Sequence, residues 1–557
     1  MLLICLKLDQ YKTTYIMKNL KLLFLLIFSV FFLTQCKFDK ELEKIEVNTN
    51  ENGELQIDIS EEHIAKFKAD GFLRYSDFGA KGDGATDDIN PIAAAHQIAN
   101  EHALKVKADE DANYYIGGSA RTAIVQTDTD FGTADFVIDD TDVQDNKASV
   151  FMVSSSLQPF ELEGISSLKR NQEKIHVSLP GPCLVTVTNS NVKHYIRYGL
   201  NQNNGSDQTD IFVVDKNGNV DMDSPIIWDF AQITEITALP IDKETLTITG
   251  GRFTTIANKE ESKYNYYSRN IAIRRSNVLI DGLEHRVIGE GDHGAPYGGF
   301  INTRDCAYVT VQNTIFTGHK TYRTIGAAGK PVSMGTYDIS LGRSLNVSFV
   351  NCSQTNDIND RTYWGLMGSN YCKNLVLDNC TFSRFDAHKG VANATVRNST
   401  LGHMGINAIG SGVFTVENST ILGSRLINLR SDYGSTWQGE FIIRDCVFVP
   451  ANGRPVTASL INGSYSGQHD FGYTCYMPER ITIENLHIDD SNHPEDYKGP
   501  AIFANFNPKM TDDSYVEKYP YVKTKKVVLK NVTTASGKEL RLSNNLFMFK
   551  DVKVVKE

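Results

Sequence analysis

Leu375-Val-Leu-Asp-Asn379-Cys-Thr-Phe382 is one of eight similar stretches in the second half of this 557-residue sequence. Each stretch alternates apolar and polar residues, reaches an asparagine or once an aspartate, and resumes as a second short run, which is typical of β-strands. The corner residues are Asn313, Asn351, Asn379, Asn398, Asn418, Asp445, Asn485 and Asn531. They are separated by 38, 28, 19, 20, 27, 40 and 46 residues. The shortest intervals fit one turn of about 20 residues, and the longer ones leave room for loops.

These repeats predict a solenoid of stacked coils. A strand cannot bury its apolar face alone, whereas stacked coils bury a continuous core. Asparagines at equivalent corners can form a side-chain ladder, which accounts for part of the 43 asparagines in the chain. Cys352, Cys380 and Cys446 follow three of the corners, so we expect buried thiols that act as small hydrophobic groups. The pattern predicts an all-β fold, a parallel β-helix, with one short helix over residues 91–99.

A second motif lies upstream of that helix. Asp77-Phe-Gly-Ala-Lys-Gly-Asp-Gly-Ala-Thr-Asp-Asp88 closely resembles the N-terminal motif of the pectate-lyase-like superfamily, which includes polygalacturonases, polysaccharide lyases and phage tailspikes. With the asparagine corners, the resemblance covers roughly residues 70–557. It implies a single-stranded right-handed parallel β-helix with a short N-terminal capping helix. It does not imply a reaction, because fold alone does not determine function.

The catalytic patches of polygalacturonases have only partial counterparts here. Asn302-Thr-Arg304 lacks the aspartate of the first patch, and Gly402-His-Met-Gly405 lacks the adjacent glycine of the second. No catalytic residue is therefore carried over from that family.

The N-terminus has the pattern of a secretory signal. Met17-Lys-Asn-Leu-Lys21 is a charged start, and Leu22–Leu33 is an apolar run too short for a comfortable membrane span. Leu33-Thr-Gln-Cys36 resembles the lipobox of bacterial lipoproteins, which implies that Cys36 is the lipidated first residue of the mature protein. An uncleaved N-terminal anchor is the alternative. We expect an exported lipoprotein at the outer membrane, on the cell surface or facing the periplasm.

This interpretation divides the chain into three parts. We predict a signal peptide over 1–35 with Met17 as the true start, a lipidated tether over 36–70, and one β-helix domain over 71–557.

The net charge of the chain restricts the classes of macromolecule that it can bind. Lys and Arg total 56 against 67 Asp and Glu, a net charge of −11, and such an acidic chain is a poor nucleic-acid binder. An acidic polysaccharide remains a suitable substrate only if the protein has a local basic cleft. No zinc motif occurs; no cofactor is assigned, and calcium is left open. The oligomeric state is not predicted.

The densest group of titratable and aromatic residues follows the corners of neighbouring coils, where we expect long loops that line one groove. The candidate catalytic residues are Asp386, His388, Lys389, His403, Arg430 and Asp432. The candidate substrate-binding residues are His319, Arg384, Asn407, Tyr433 and Trp437. Trp364 is a further candidate platform for a sugar ring.

Two reactions fit these residue types. A uronate lyase needs a cation at the carboxylate and a base for the neighbouring C–H. The candidate cations are Lys389, Arg430 and Arg384. The candidate bases or acids are His388, His403 and Tyr433. A glycoside hydrolase needs two carboxyl groups, for which the candidates are Asp386 and Asp432, with Asp357 in reserve. The cations and imidazoles favour the lyase. A non-catalytic glycan-binding or adhesive solenoid is the third hypothesis, and ion pairing between coils is the purely structural alternative.

Overall fold

The computed structural model describes residues 42–557. Within them, 27 strands pair in parallel as one continuous sheet that coils around a single core. This confirms the predicted fold class, a right-handed parallel β-helix. The predicted signal segment and Cys36 lie outside the described residues.

The coils begin near residue 72. The first seven strands are Phe72–Arg74, Asp83–Asp87, Lys105–Lys107, Asn113–Ile116, Ala123–Val125, Thr129–Asp139 and Phe151–Ser154. After an inserted segment, the next strands are Leu246–Ile256, Ile271–Arg274, Val278–Asp281, Glu284–Ile288, Gly298–Gln312, Ile315–Phe316, Tyr337–Val350, Ser353–Gln354, Met367–Asp378 and Thr381–Arg397. The last ten are Thr400–Ala408, Gly410–Glu417, Thr420–Ile421, Ile427–Leu429, Trp437–Phe448, Ser459–Asn462, Arg480–Ile488, Ala501–Phe503, Lys526–Thr534 and Lys553–Lys556.

All eight predicted corners adopt the left-handed backbone conformation, with φ between 44° and 55°. Asparagine and aspartate tolerate this conformation better than other residues with side chains. The amide of Asn379 donates to Asn351 Oδ1 at 2.8 Å, and that of Asn351 donates to Asn313 Oδ1 at 3.2 Å. The predicted ladder is thus present and locks the register of the coils.

One column of apolar residues shows how the core is built. Val309, Val347, Leu375, Ala394, Phe414, Phe441, Ile481 and Val527 pair in register from coil to coil. Each is at most 2 % exposed. The seven cysteines of the described part are all free and buried, as expected for thiols that pack as apolar groups.

The N-terminal boundary differs from the prediction. Residues 42–70, assigned to the tether, contain the hairpin Glu46–Thr49 and Leu55–Asp58 and the helix Glu61–Asp70. Phe67 of this helix is buried and stacks on Phe78 with ring centroids 6.0 Å apart. The charged residues of this segment favoured a tether, but most of its apolar side chains join the core of the first coils or pack against it.

A second helix, Ile89–His102, contains the predicted residues 91–99. Its buried side chains, including Ile92 and Ile98, join the core of the first coils, and it packs beside the strand Ala123–Val125. Neither helix of residues 42–557 has the length and apolar character needed to span a bilayer.

The sequence did not predict an insertion of about 90 residues between two coils. It carries an antiparallel sheet with the strand order Phe160–Glu161, Glu235–Pro240, Cys183–His194, Ser206–Val214. One face of this inserted sheet has its own apolar core. The other face packs on the coils, where Leu184 and Ile211 contact Ala307 and Leu345. The inserted sheet therefore lies against the coils that form the site described below.

The remaining elements are short. A hairpin joins Arg323–Ile325 to Pro331–Ser333, and Cys475–Tyr476 pairs with Tyr521–Val522. Single 3-10 turns lie at Ser76–Phe78, Ser431–Tyr433 and Pro450–Gly453.

Candidate functional site

A cavity of about 740 Å³ lies over four consecutive coils. Its floor includes Asn302, Ser340 and Gly368, which pair in register on adjacent strands. Side chains alternate between the two faces of a strand, so these positions face outward while their neighbours Ile301 and Ile339 enter the core.

The walls of this cavity come from three separate segments. Tyr264 and Tyr266 stack with centroids 6.3 Å apart on one side. The hairpin Arg323–Ser333 contributes Ile325, and the insertion contributes Arg197 and Asn201, from the connection between two strands of its sheet. Asn201 donates to the Tyr264 hydroxyl at 3.0 Å, which joins two of the walls.

A cluster of arginines and aspartates lies at one end of the cavity. Asp386 is fully buried and pairs with Arg384 and with Arg430, whose Nη1 is 3.4 Å from Asp386 Oδ1. Arg430 also binds Asp432 through Nη2 at 2.8 Å, and Arg197 Nη2 lies 2.8 Å from the same oxygen. Burial alone would lower the pKa of Arg430, but the carboxylates of Asp386 and Asp432 raise it.

The cavity is positively charged although the whole chain is acidic. Arg197, Arg384 and Arg430 outnumber the two carboxylates of the cluster, and Arg304 lines the wall, exposed and without an ion pair among residues 42–557. This is the local basic cleft that an acidic substrate requires.

His388 lies beside this cluster with its ring edge-on to Tyr433, the centroids 5.7 Å apart. Its Nδ1 is 2.9 Å from Asn370 Oδ1. Because an amide oxygen only accepts, Nδ1 carries the hydrogen and Nε2 holds the lone pair. Burial, and then the positive charges of Arg430 and Arg197, hold the pKa of His388 well below its usual range. The imidazole is therefore neutral at neutral pH, with the lone pair of Nε2 unprotonated.

Tyr337 and Trp364 line the same cavity. Burial, followed by the nearby Asp386 carboxylate, raises the pKa of the Tyr337 hydroxyl, which keeps it protonated. The guanidinium of Arg384 lies 5.3 Å from the centre of the Trp364 ring, so one face of that indole is occupied by the arginine.

The predicted loops are strands at this point. Arg384, Asp386 and His388 belong to the strand Thr381–Arg397, and His403 and Asn407 belong to Thr400–Ala408. The coil intervals of 19 and 20 residues at these corners leave few residues for loops, so the polar residues are presented by the strands themselves.

Five predicted residues stand close to the cavity but do not line it, namely Lys389, Tyr433 and the cluster residues Arg384, Asp386 and Asp432. Lys389 Nζ donates to Ser206 Oγ of the inserted sheet at 3.0 Å. Tyr433 is only 1 % exposed, and its ring packs under the guanidinium groups of Arg197 and Arg430, 5.4 and 5.7 Å from its centre. Burial raises the pKa of Tyr433 to about 12. Tyr433 therefore packs against the charged cluster, whereas Lys389 is bonded to the insertion.

Trp437 is a core residue, not a sugar platform. Its side chain is fully buried between Phe414 and Phe441, with centroid distances of 5.3 and 5.6 Å. Its Nε1 donates to the carbonyl of Gly412 at 3.0 Å. The prediction was wrong because Trp437 is the first residue of a strand, at an inward-facing position that the sequence assigned to a loop.

His319 also lies away from the cavity, in a buried polar network. It is 1 % exposed; Nε2 is 3.2 Å from Asp338 Oδ1, and Nδ1 is 3.5 Å from Glu290 Oε1. Asp338 also binds His285 at 2.7 Å. His319 therefore does not line the cavity, because Asp338 and Glu290 hold its ring in this buried network. Asp357, held in reserve, caps an exposed turn at Asn359.

His403 and Asn407 line a second cavity of about 670 Å³. His403 Nδ1 is 2.9 Å from the carbonyl oxygen of Ile358, and burial lowers the pKa of this imidazole. Asn407 begins a ladder in which Asn428 donates to Asn407 Oδ1 and Asn462 donates to Asn428 Oδ1, both at 2.8 Å. Of the predicted site residues, His388, Arg430 and Trp364 line the first cavity, and His403 and Asn407 line the second.

Sequence reasoning missed several lining residues. Arg197 belongs to the insertion, and nothing in its local sequence indicates that it meets Asp432 some 235 positions later. The floor asparagines do have a signal. They follow isoleucines in Ile301-Asn302, Ile406-Asn407, Ile427-Asn428 and Ile461-Asn462, a second repeated pair that marks the outward face.

Among residues 42–557, no group of three or more His, Cys, Asp or Glu side chains has the arrangement of a metal site. The carboxylates at the cavity, Asp386 and Asp432, bind arginines instead.

No family model and no curated protein sequence matches the chain. Its structure is similar to the Pseudomonas phage phi297 tailspike gp61, with a TM-score of 0.50 and 12 % identity over 83 % of this chain and 80 % of that one. It is also similar to the Gp54 tailspike of Acinetobacter baumannii bacteriophage AP22, solved in complex with A. baumannii capsular saccharide, with a TM-score of 0.50 and 10 % identity over 91 % and 81 %. At such identities the similarity establishes the right-handed β-helix fold.

Proposed function

We propose that this protein is an enzyme that depolymerises an acidic, uronic-acid-containing polysaccharide, and that it does so by β-elimination. The observation that carries this proposal is a neutral imidazole, His388, beside an excess of arginines in one cavity. The AP22 tailspike, which has the same fold, holds a capsular saccharide, and this is consistent with a polysaccharide as the ligand.

Each chemical step has a candidate group on the cavity surface. The exposed guanidinium of Arg304, or the outer edge of Arg430, binds the uronate carboxylate and makes the neighbouring C5–H more acidic. Nε2 of His388 takes the C5 proton, the C4–O bond breaks, and a C4=C5 double bond forms. The protonated hydroxyl of Tyr337 gives its proton to the departing glycosidic oxygen.

Hydrolysis through the predicted aspartate pair has weaker support. It requires two carboxyl groups that flank the glycosidic bond. Asp386 is fully buried and engaged by two arginines, and Asp432 is also engaged by two. Neither side chain is free to approach a sugar.

A panel of polyuronates tests the reaction. We expect incubation with pectate, alginate or hyaluronan, each with and without calcium, to yield near-ultraviolet absorbance and new reducing ends together on at least one polymer. His388→Gln should reduce turnover about 100-fold or more, the usual contribution of a general base. His487→Gln, the same change at an exposed strand position, should leave turnover unchanged.

Other outcomes separate the alternatives. Reducing ends without absorbance would indicate hydrolysis, and binding without either product would indicate a glycan-binding or adhesive protein; both contradict β-elimination. Turnover that requires calcium would add this ion as a cofactor of the proposed reaction.

We further propose that the enzyme is an exported lipoprotein anchored through Cys36, with residues 1–35 removed and Met17 as the start. The support is the sequence pattern alone. Recovery of the protein in the detergent-soluble membrane fraction, with a lipid-modified Cys36 by mass spectrometry, is the expected result.

A further inference from the structure

The second cavity contains a cation without a counter-charge. Arg425 is partly buried at its edge, and its Nη1 donates to the carbonyl of Ser424 at 2.7 Å. Its Nε is buried and has no hydrogen-bond partner among residues 42–557. No Asp or Glu belongs to the lining of this cavity, and burial lowers the pKa of Arg425.

Without a bound anion, the partial burial of the unpaired Arg425 guanidinium is energetically unfavourable. A guanidinium that loses water needs hydrogen bonds or an opposite charge to offset the loss. The other buried arginines of the outward face, Arg384 and Arg430, are each paired with a carboxylate. Arg425 therefore lacks what a bound anion would supply.

The rest of the lining is suited to a sugar. The amides of Asn407, Asn428 and Asn462 form a row across three coils, spaced about 4.8 Å apart. Each amide presents hydrogen-bonding atoms beside the cavity. Met404 and Val456 supply apolar wall, and His403 offers its Nε2, because Nδ1 is bound to the Ile358 carbonyl.

The two cavities meet at one short strand. Ile427–Leu429 is followed at once by Arg430, which lines the first cavity, and it is preceded by Arg425, which lines the second. Arg425 and Arg430 are five positions apart in the chain, so their Cα atoms are at most about 17 Å apart at the rise of an extended strand. One glycan chain of several sugars can therefore reach both.

We propose that the second cavity is a distinct subsite for a uronate residue, in which Arg425 binds the sugar carboxylate and the asparagine row binds its hydroxyls. The identity of the polymer rests on the proposed function, whereas the anion site itself does not. The protein would then hold two acidic sugars of one chain, one at the reacting position and one at Arg425.

Equilibrium dialysis with radiolabelled D-glucuronate, and with D-glucose as the uncharged control, tests this subsite. We expect two sites for glucuronate on the wild type, one on Arg425→Met, and weak or no binding of glucose. Arg425→Lys, which keeps the charge and is the milder change for folding, should retain two sites with lower affinity at one of them. Arg480→Met, an arginine change at an exposed strand position, should behave as the wild type.

The outcomes distinguish the two proposals. One wild-type site that persists in Arg425→Met overturns the subsite and leaves the proposed function standing. One site that is lost in Arg425→Met supports the subsite and counts against uronate binding in the first cavity. The same number of sites in wild type and Arg425→Met, or no binding at all, overturns the subsite.

Discussion

At the scale of single residues, His319 is a buried imidazole outside the cavity that is paired with two carboxylates. Burial disfavours a charged imidazole, but the carboxylates of Asp338 and Glu290 outweigh it and raise the pKa of His319 to about 9. Contacts with His285 and His319 in turn hold the pKa of the buried Asp338 carboxyl below its usual range. The folded protein therefore keeps an imidazolium that the unfolded chain would lose near pH 6.5.

This raised pKa predicts a pH-dependent stability. A raised folded-state pKa contributes stability that is fully present below about pH 6.5 and lost as the pH rises through about 9. The contribution is at most roughly 3 kcal/mol, because each tenfold gain in proton affinity on folding corresponds to about 1.4 kcal/mol. We expect the thermal midpoint of the wild type to exceed that of His319→Gln clearly at pH 6, and the gap to narrow by pH 10.

The control for this prediction is His487→Gln, an exposed histidine change, whose midpoint should follow the wild type at every pH. A gap between wild type and His319→Gln that stays constant from pH 6 to pH 10 would show that His319 stabilises by packing and not by its charge.

The positions of some residues could be predicted from the sequence, whereas those of others could not. The asparagine corners were predictable, because each needs only its own left-handed backbone and one equivalent neighbour in the next coil. His388 and Arg430 were predictable as candidates, because they follow the corners. Arg197 and Tyr337 were not, since their place depends on contacts with segments far away in the chain. Trp437 was misplaced, because a loop and an inward-facing strand start look alike in sequence.

At the scale of elements, the inserted sheet is part of the site and not an appendage. It supplies Arg197 to Asp432, and Ser206 to Lys389. Arg197 also contributes to the low pKa of His388. Docking of the sheet therefore affects both the shape of the cavity and the protonation of the candidate base.

The contact between the inserted sheet and the coils includes a buried ion pair, Lys373 of the coils with Asp210 of the inserted sheet. Their charged atoms are 2.8 Å apart and both side chains are 2 % exposed. Lys373→Met leaves the Asp210 carboxylate buried without its cation, which should lower the free energy of unfolding by about 3–5 kcal/mol. Urea unfolding measures this loss, and turnover should fall with it because Arg197 moves with the sheet.

A double variant separates charge from packing. Asp210 also accepts the backbone N–H groups of Ile211 and Ile227 at 2.8 and 2.7 Å, and an asparagine oxygen can accept them as well. Lys373→Met/Asp210→Asn should therefore recover part of the stability lost in Lys373→Met. If the double variant is no more stable than Lys373→Met, the unpaired charge is not the cause of the loss.

At the scale of the whole molecule, the solenoid explains why one scaffold can combine stability with a variable surface. Each coil buries its inward side chains against its neighbours, so the core is continuous. Intervals between corners nevertheless range from 19 to 46 residues, because insertions extend outward without disturbing the stack. At each cavity, strands of the coils supply polar residues, and long segments inserted between the corners form the walls.

A solenoid also needs closed ends, since the first coil has no neighbour on one side. Residues 42–70 cover this end: Phe67 is 2 % exposed against Phe78, and Ile45 is 8 % exposed. A chain that begins at residue 71 would expose the apolar surface beneath them, at a cost of about 1.5–3 kcal/mol for each large side chain. We expect it to unfold at a lower temperature and to bind a hydrophobic dye, whereas a chain that begins at residue 42 should match a chain that begins at residue 36 in both measurements. Equal midpoints for the two truncated chains would mean that the hairpin and helix do not contribute to the closure of the solenoid.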